Sequence, residues 1–412
     1  MHKWFDLELA FGVSTYHDLE SRAKTLLSRL SLEEKVAQIG AVRAIELTES
    51  GHFSEEKSAP LLVHGIGFIT RLTGDGLTVE QARDVVQAAQ KFLLEKSTSK
   101  IPAIVMEECL AGVKAAGATS FPQSIGLASS WNTELVRKVA SCIGQRAREV
   151  GIRHCLSPVL DLALDPRWGR TEETYGEDAY LASSMGVAYV SALQAQGVIA
   201  TGKHFAGHGS SEGGRNTAPV NVSERFFREN HLRTFEAAVK AAGLKSVMAA
   251  YHQLDGVPCH VNRWLLRDVL RREFGFSGVV LSDGGGIPRL LAVDGVASDC
   301  EEAAIKALRA GIDSEMPKSY CYATLLKAIT DGRMSESELN SAVEAVLREK
   351  ISLGLLEDAT RGMSEGGTDS AEDRALALEA ARESVVLLKN EGALPLKKGA
   401  RVAVIGPNAA DA

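Results

Sequence analysis

Residues 278–287 read GVVLSDGGGI. Val279, Val280 and Leu281 form an apolar run too short for a helix, and Asp283 closes it. Apolar side chains at successive positions predict a strand buried on both faces, as in a parallel sheet covered by helices. Three glycines then leave the backbone beside the carboxylate bare, where a ligand could approach closely.

The same kind of run recurs outward in both directions. LLVHGIGFIT (61–70), IPAIVME (101–107), HCLSPVLDL (154–162), VIATGKHF (198–205) and KSVMAAY (245–251) are strand-like, and GIDSEMP (311–317) is a weaker seventh. Between them, 79–96, 133–151, 177–197, 223–243, 262–275 and 301–311 carry apolar residues three and four apart. Most of these stretches end in glycine, the residue suited to the left-handed position after a helix. Six or seven βα units in about 250 residues fit a TIM-like (β/α)8 barrel in the α/β class. A doubly wound dinucleotide fold would want GxGxxG after its first strand, and HGIGFI does not supply it.

The flanks suggest further organisation. Residues 1–60 are expected to be an N-terminal helical segment, with Ser31 and Glu34 in capping-box spacing, and 61–355 the barrel. Helices are expected at 321–331 and 336–352. RGMSEGGTDS (361–370) has linker composition and precedes a helix over 371–390, so 356–392 reads as linker and helix. RVAVIGPNAADA then predicts a fresh strand within 393–412, the first of an α/β sandwich domain that is cut short.

Bulk properties exclude several functions. The 412 residues carry 46 basic and 53 acidic side chains, a net charge of −7 that disfavours a polyanionic partner. No basic cluster with interleaved aromatics suggests nucleic acid. No run reaches the roughly 18 apolar residues of a membrane span, and no signal peptide is evident, so a cytoplasmic location is expected, or a periplasmic or secreted one if a leader has been trimmed away. Six scattered cysteines without CxxC spacing read as buried free thiols rather than a zinc site. His204 and His208 have H-x3-H spacing without an evident third ligand, so neither metal nor cofactor is expected.

Barrel enzymes place their chemistry at the C-terminal ends of the strands. Here those ends offer Glu107 and Glu108, Asp161 followed by DPRWGR, Lys203 and His204, Tyr251 and His252, and Asp283. Carboxylates and cations together suit a neutral polyhydroxylated substrate, held by charge-assisted hydrogen bonds. A carboxylate kept ionised by Lys and Arg also suits attack on an oxocarbenium-like centre. Plainer roles exist for the same residues. An aspartate at a strand end often caps the next helix, Trp168 reads as packing, and Arg170 could pair structurally with Glu172.

Six segments together resemble glycoside hydrolase family 3, in its β-glucosidase and β-xylosidase branches. They are GATSFPQSIGLASSWN (117–132), DPRWGRTEETYGEDAYL (165–181), KHFAGHGSSEGGRN (203–216), SVMAAYHQLDGVPCHVN (246–262), LLRDVLRREFGFSGVVLSD (265–283) and ALPLKKGARVAVIGPNA (393–409). The resemblance implies a retaining, exo-acting β-glycosidase, first of all a β-glucosidase, acting on a small-molecule or oligosaccharide β-glycoside. It implies Asp283 as the nucleophile, with Glu108, Arg170, Lys203 and His204 binding sugar hydroxyls and Tyr251 beside the nucleophile. Glu172 would support Arg170 and Lys203. His208 remains a possible sugar contact, and Glu212 has no support as a proton donor. A β-xylosidase, an exo-β-glucanase or a non-catalytic sugar-binding fragment are the alternatives.

Three features depart from the family pattern. Gly284 stands where Trp is common, and Ala111 where the family has His. The family's acid/base Glu belongs to the domain that 393–409 would open, so the acid/base is unassigned and expected from a second domain or chain.

Overall fold

The computed structural model describes residues 18–406 and 409; expectations that fall on the remainder lie outside the described residues. Seven strands form one sheet: β1 Ala41–Arg43, β2 Phe68–Thr70, β3 Ile104–Glu107, β4 His154–Cys155, β5 Ile199–Phe205, β6 Ser246–Ala249 and β7 Val279–Leu281. They lie side by side in chain order, and every pairing is parallel. An eighth position closes the ring. Leu281 makes a parallel bridge to Ser314, whose hydroxyl donates to the Ile39 carbonyl at 2.7 Å. The Ser319 N–H then reaches the Ala41 carbonyl at 3.1 Å. The architecture is a TIM-like (β/α)8 barrel whose last strand is reduced to a bridge.

The surrounding helices are α1 Val79–Glu95, α2 Thr133–Val150, α3 Ala179–Ala195, α4 His231–Ala242, α5 Trp264–Glu273, α6 Cys300–Ala310, α7 Glu336–Ser352 and α8 Ala371–Glu383. Local chemistry sets their ends. The Asn132 side chain accepts the N–H groups of Glu134 and Leu135, and Gly151, at φ 99°, stops α2. All seven residues of β5 are buried, as a strand covered on both faces requires.

Several sequence expectations need correction. The barrel begins at Ala41 rather than 61: β1 pairs with β2, but three residues are too few to show a strand pattern. Leu61 and Leu62 finish a short helix, Glu55–Leu62, and the strand starts only at Phe68. The 154–162 run is a strand only at His154–Cys155, because Pro158 has no N–H for the ladder; Val159 rejoins by bridging to Lys203. The 223–243 helix breaks at Asn230, and the 371–390 helix stops at Glu383. Residues 401–405 make no strand among the described residues. No partner strand accepts their hydrogen bonds, and Val404 and Ile405 stand exposed. Cys300 and Cys321 are not free: they form a disulfide, a bond that persists in oxidising compartments. Cys109, Cys142, Cys155 and Cys259 are free thiols. No helix among the described residues is long and apolar enough to cross a membrane.

Two glycines admit neighbouring backbone where the sheet is tightest. A Cβ on Gly67 would lie 2.2 Å from the Gln38 carbonyl oxygen, and one on Gly278 would lie 1.8 Å from that of Lys245. Gly278 precedes β7, and the Val279 N–H donates to the same Lys245 carbonyl. Replacing Gly278 by Ala should therefore push β7 off β6, at a cost of about 3 kcal/mol or more. Gly169→Ala, where a Cβ meets nothing within 4 Å, should leave the denaturant midpoint unchanged.

Candidate active site

The charged residues at the strand ends converge on the C-terminal rim. A cavity of about 420 Å³ opens there, lined by Glu108, Arg170, Glu173 and Lys203, with Arg71 and Ala111. Lys203 comes from β5 and is 2% exposed. Its ammonium donates to Glu108 at 2.7 Å, which holds two sequence-predicted site residues against one another. Glu108 stands just past β3. The preceding Glu107 turns inward instead, accepting the N–H groups of Thr73 and Gly74 at 2.7 Å each. Burial raises the Glu107 pKa, and these donors oppose the rise. Glu107 thus ties the loop after β2 to the rim.

Arg170 makes a two-pronged ion pair, both contacts 2.8 Å, with Glu173 rather than the expected Glu172. The segment Thr171–Glu173 is a 3₁₀ turn, and three residues per turn set position 173 over 170. Glu172 faces solvent. Burial pushes the Glu173 pKa up, but the Arg170 hydrogen bonds outweigh it and keep the carboxylate ionised.

His204 owes its aim to an irregular ladder. Lys203 pairs with Met248 and Phe205 with Ala249, so His204 is the additional residue of a bulge. Bulges re-aim side chains beside functional sites. The His204 ring Nδ1 and backbone N both bond the same oxygen of Asp161 at 2.8 Å, while the His208 N–H bonds the other at 3.2 Å. Burial, with Arg170 nearby, holds His204 well below the ordinary imidazole value, so the ring is neutral. Burial raises Asp161 to about 7, opposed by the His204 N–H and the Arg170 charge. With Asp161 ionised, Nδ1 carries the ring proton and Nε2 presents a lone pair. That Nε2 lies 3.7 Å from Asp283 Oδ2.

Asp283 sits at the end of β7, 8% exposed. Its Oδ1 accepts the Gly284 N–H at 2.7 Å, and Oδ2 has no hydrogen-bond partner among the described residues. Burial pushes its pKa up to about 6, while the Gly284 N–H and the Lys203 and Arg170 charges pull the other way. The glycines divide the work around it. Gly284 supplies that N–H; Gly285, at φ 73°, turns the chain. Gly286 has no room for a Cβ, which would lie 2.3 Å from His260 Nε2. The same Nε2 accepts the Asp283 N–H at 3.1 Å. Tyr251 donates its hydroxyl to the Gly284 carbonyl at 2.9 Å, and burial together with the Asp283 charge keeps the phenol protonated.

Two further candidates are taken up by the chain itself. His208 is fully buried: its Nε2 bonds the Asn216 carbonyl and its ring packs 5.0 Å from the Trp168 ring, so it holds the glycine-rich loop. Glu212 is exposed and accepts from Asn221 at 2.7 Å. Asp161, His204 and His208 each bring a ligand atom within 4.8 Å of the others. Asp161 accepts three N–H donors there, so the cluster bonds within itself. Glu107 and Asp161 were gathered among the strand-end carboxylates but not as anchors of neighbouring loops, and Glu173 and His260 carried no role in the sequence reading. Only the i, i+3 spacing of Arg170 and Glu173 held a usable signal.

The described residues thus form a parallel (β/α)8 barrel that gathers donors, acceptors and the Asp283 carboxylate at one rim. Residues 31–349 match the model described as the glycosyl hydrolase family 3 N terminal domain, and the chain belongs to that family. It is 42% identical over 314 residues to a β-xylosidase of Formosa agariphila, covering 71% of this chain and 43% of that protein. It is 35% identical to a periplasmic β-glucosidase of Salmonella typhimurium, covering 93% of this chain and 49% of that one. The fold superposes with a TM-score of 0.85 on a β-glucosidase of Erythrobacter marinus, at 36% identity, over 92% of this chain and 51% of the other. The chain spans about half the length of these relatives.

Nitrogen-15 NMR of the His204 ring offers a direct check of its proton. The ring should read Nδ1–H, as the bond to the Asp161 carboxylate requires; a proton found on Nε2 contradicts the assignment.

Proposed function

We propose that the chain supplies the barrel of a retaining, exo-acting β-glycosidase, acting first of all on terminal non-reducing β-D-glucosyl residues. The observation that carries this reading is Asp283 Oδ2: a carboxylate oxygen without a hydrogen-bond partner, beside His204 and within the fields of Lys203 and Arg170. A nucleophile needs that combination. Cations keep the carboxylate ionised, and a dry setting strengthens its attraction for an oxocarbenium-like carbon. Gly284 N–H fixes Oδ1 and leaves Oδ2 for the anomeric carbon.

Binding roles follow from the polar groups at the rim. Lys203 and Glu108, already paired, form a donor and acceptor fork for adjacent hydroxyls, and Arg170 adds charged N–H donors. The bare His204 Nε2 accepts from a hydroxyl near the reacting carbon. Tyr251, anchored on Gly284, flanks the nucleophile. The acid/base is proposed to come from a second domain or chain. Similarity to both β-glucosidases and β-xylosidases supports a β-glycoside as substrate, and a β-glucosidase of Listeria innocua has been seen with glucose and, as a point mutant, with laminaribiose.

An aryl β-glucoside with a good leaving group needs little protonation, so it tests the nucleophile alone. A 2-deoxy-2-fluoroglucosyl fluoride should label Asp283, read by peptide mass spectrometry; a label on any other residue refutes the assignment. The 2-deoxy-2-fluoroxylosyl counterpart measures xyloside preference by its relative rate of labelling.

The labelling rate should also fall as pH drops through about 6, where Asp283 takes up its proton. Removing a cation by Lys203→Met should raise that limb, because the Lys203 charge helps keep Asp283 ionised. A limb near the ordinary aspartate value of about 4 would contradict the buried environment.

A further inference from the structure

We propose that the opposite end of the barrel carries a second binding site, for a small phosphate-bearing anion. A hollow of about 650 Å³ lies there, among residues that precede the strands, and five of its lining side chains are cationic: Arg22, Arg148, Arg153, Lys245 and Arg361. They arrive from separate segments. Arg22 lies in the helix at 18–27 and Arg148 near the end of α2; Arg153 precedes β4, Lys245 precedes β6, and Arg361 follows α7. Glu357 is the sole carboxylate of the lining, and it already pairs with Arg22.

Like charges gathered in a concavity repel unless something answers them. Arg153 is 6% exposed and donates to the carbonyls of Gly197, Arg361 and Leu353. A guanidinium has five N–H donors, so two remain. The side chains of Arg148, Lys245 and Arg361 make no hydrogen bond or salt bridge among the described residues, and Arg148 Nε is buried without a partner. Arg153 loses proton affinity chiefly through burial, and then through the Arg148 and Arg361 charges beside it.

A second arginine-lined hollow gives the contrast. There Arg271 pairs with Asp313, Arg272 with Asp268 and Arg309 with Glu338, while Arg263 and Arg267 donate to carbonyls. Every one of its arginines is answered by the chain itself. At the barrel floor three cations are not, and a compact oxyanion of two charges, gripped by converging guanidinium forks, is the group that fits. The hollow has room for the phosphate of a larger molecule, so free phosphate and a sugar phosphate share the recognised chemistry.

Titration calorimetry with inorganic phosphate, and separately with glucose 6-phosphate, at fixed ionic strength tests the site. Saturable binding of one equivalent is expected, weakened at least tenfold by Lys245→Met and by Arg361→Met. Both side chains are exposed, so the variants should fold as the parent does. Arg272→Met, in the answered hollow, should leave the affinity unchanged. Tighter binding of glucose 6-phosphate would identify a sugar phosphate as the occupant, and equal binding would identify the free ion. Absence of saturable heat overturns the proposal, as does affinity lost in Lys203→Met but kept in both floor variants.

Discussion

The Asp161 carboxylate is buried between the ends of β4 and β5, and both its oxygens are taken by N–H groups of the chain that follows. A buried ionised carboxylate is costly unless its lone pairs are met, and here the donors that meet them belong to His204 and His208. The arrangement fixes three things together. It orients the imidazole, decides which ring nitrogen faces Asp283, and starts the glycine-rich loop that His208 then pins through Asn216. Glu107 acts in the same way from the end of β3, where its carboxylate orders the loop carrying Thr73 and Gly74. The rim is therefore shaped by carboxylates that never reach the cavity.

The electrostatics follow from that dryness. Lys203 and Arg170 are each neutralised by one carboxylate, Glu108 and Glu173, so a site rich in charge stays nearly balanced. What is left unbalanced is Oδ2 of Asp283, buried beside His204. Burial alone would favour its neutral form, and the two cations and the Gly284 amide counter that tendency without cancelling it. A carboxylate in this setting takes up a proton more readily than an exposed one.

The barrel was legible because strands covered on both faces leave uninterrupted apolar runs, and β3, β5, β6 and β7 announce themselves in that way. β1 and the bridge at Ser314 were faint for the opposite reason: three residues, or one, cannot display a period. In the site, residues at strand ends could be gathered from topology alone, since every C-terminal end points to one rim. Partners could not. Glu173 outcompeted Glu172 through the geometry of a 3₁₀ turn, and His260 reaches Asp283 from 23 positions away in sequence. The Cys300–Cys321 disulfide belongs to the same class, because spacing does not determine connectivity.

Of the three glycines beside Asp283, the first has no steric or backbone need to be glycine. Gly285 needs its left-handed backbone and Gly286 its missing Cβ, yet a Cβ on Gly284 would meet the Tyr251 hydroxyl and Pro317 only at ordinary contact distances of 3.5 and 3.6 Å. A Cβ could stand there without disturbing the strand, the turn or the amide that steadies the carboxylate, and only proline would remove that amide. Evolution is thus free to rewrite this one letter, and with it the wall that greets an incoming molecule, while the machinery behind it stays as it is.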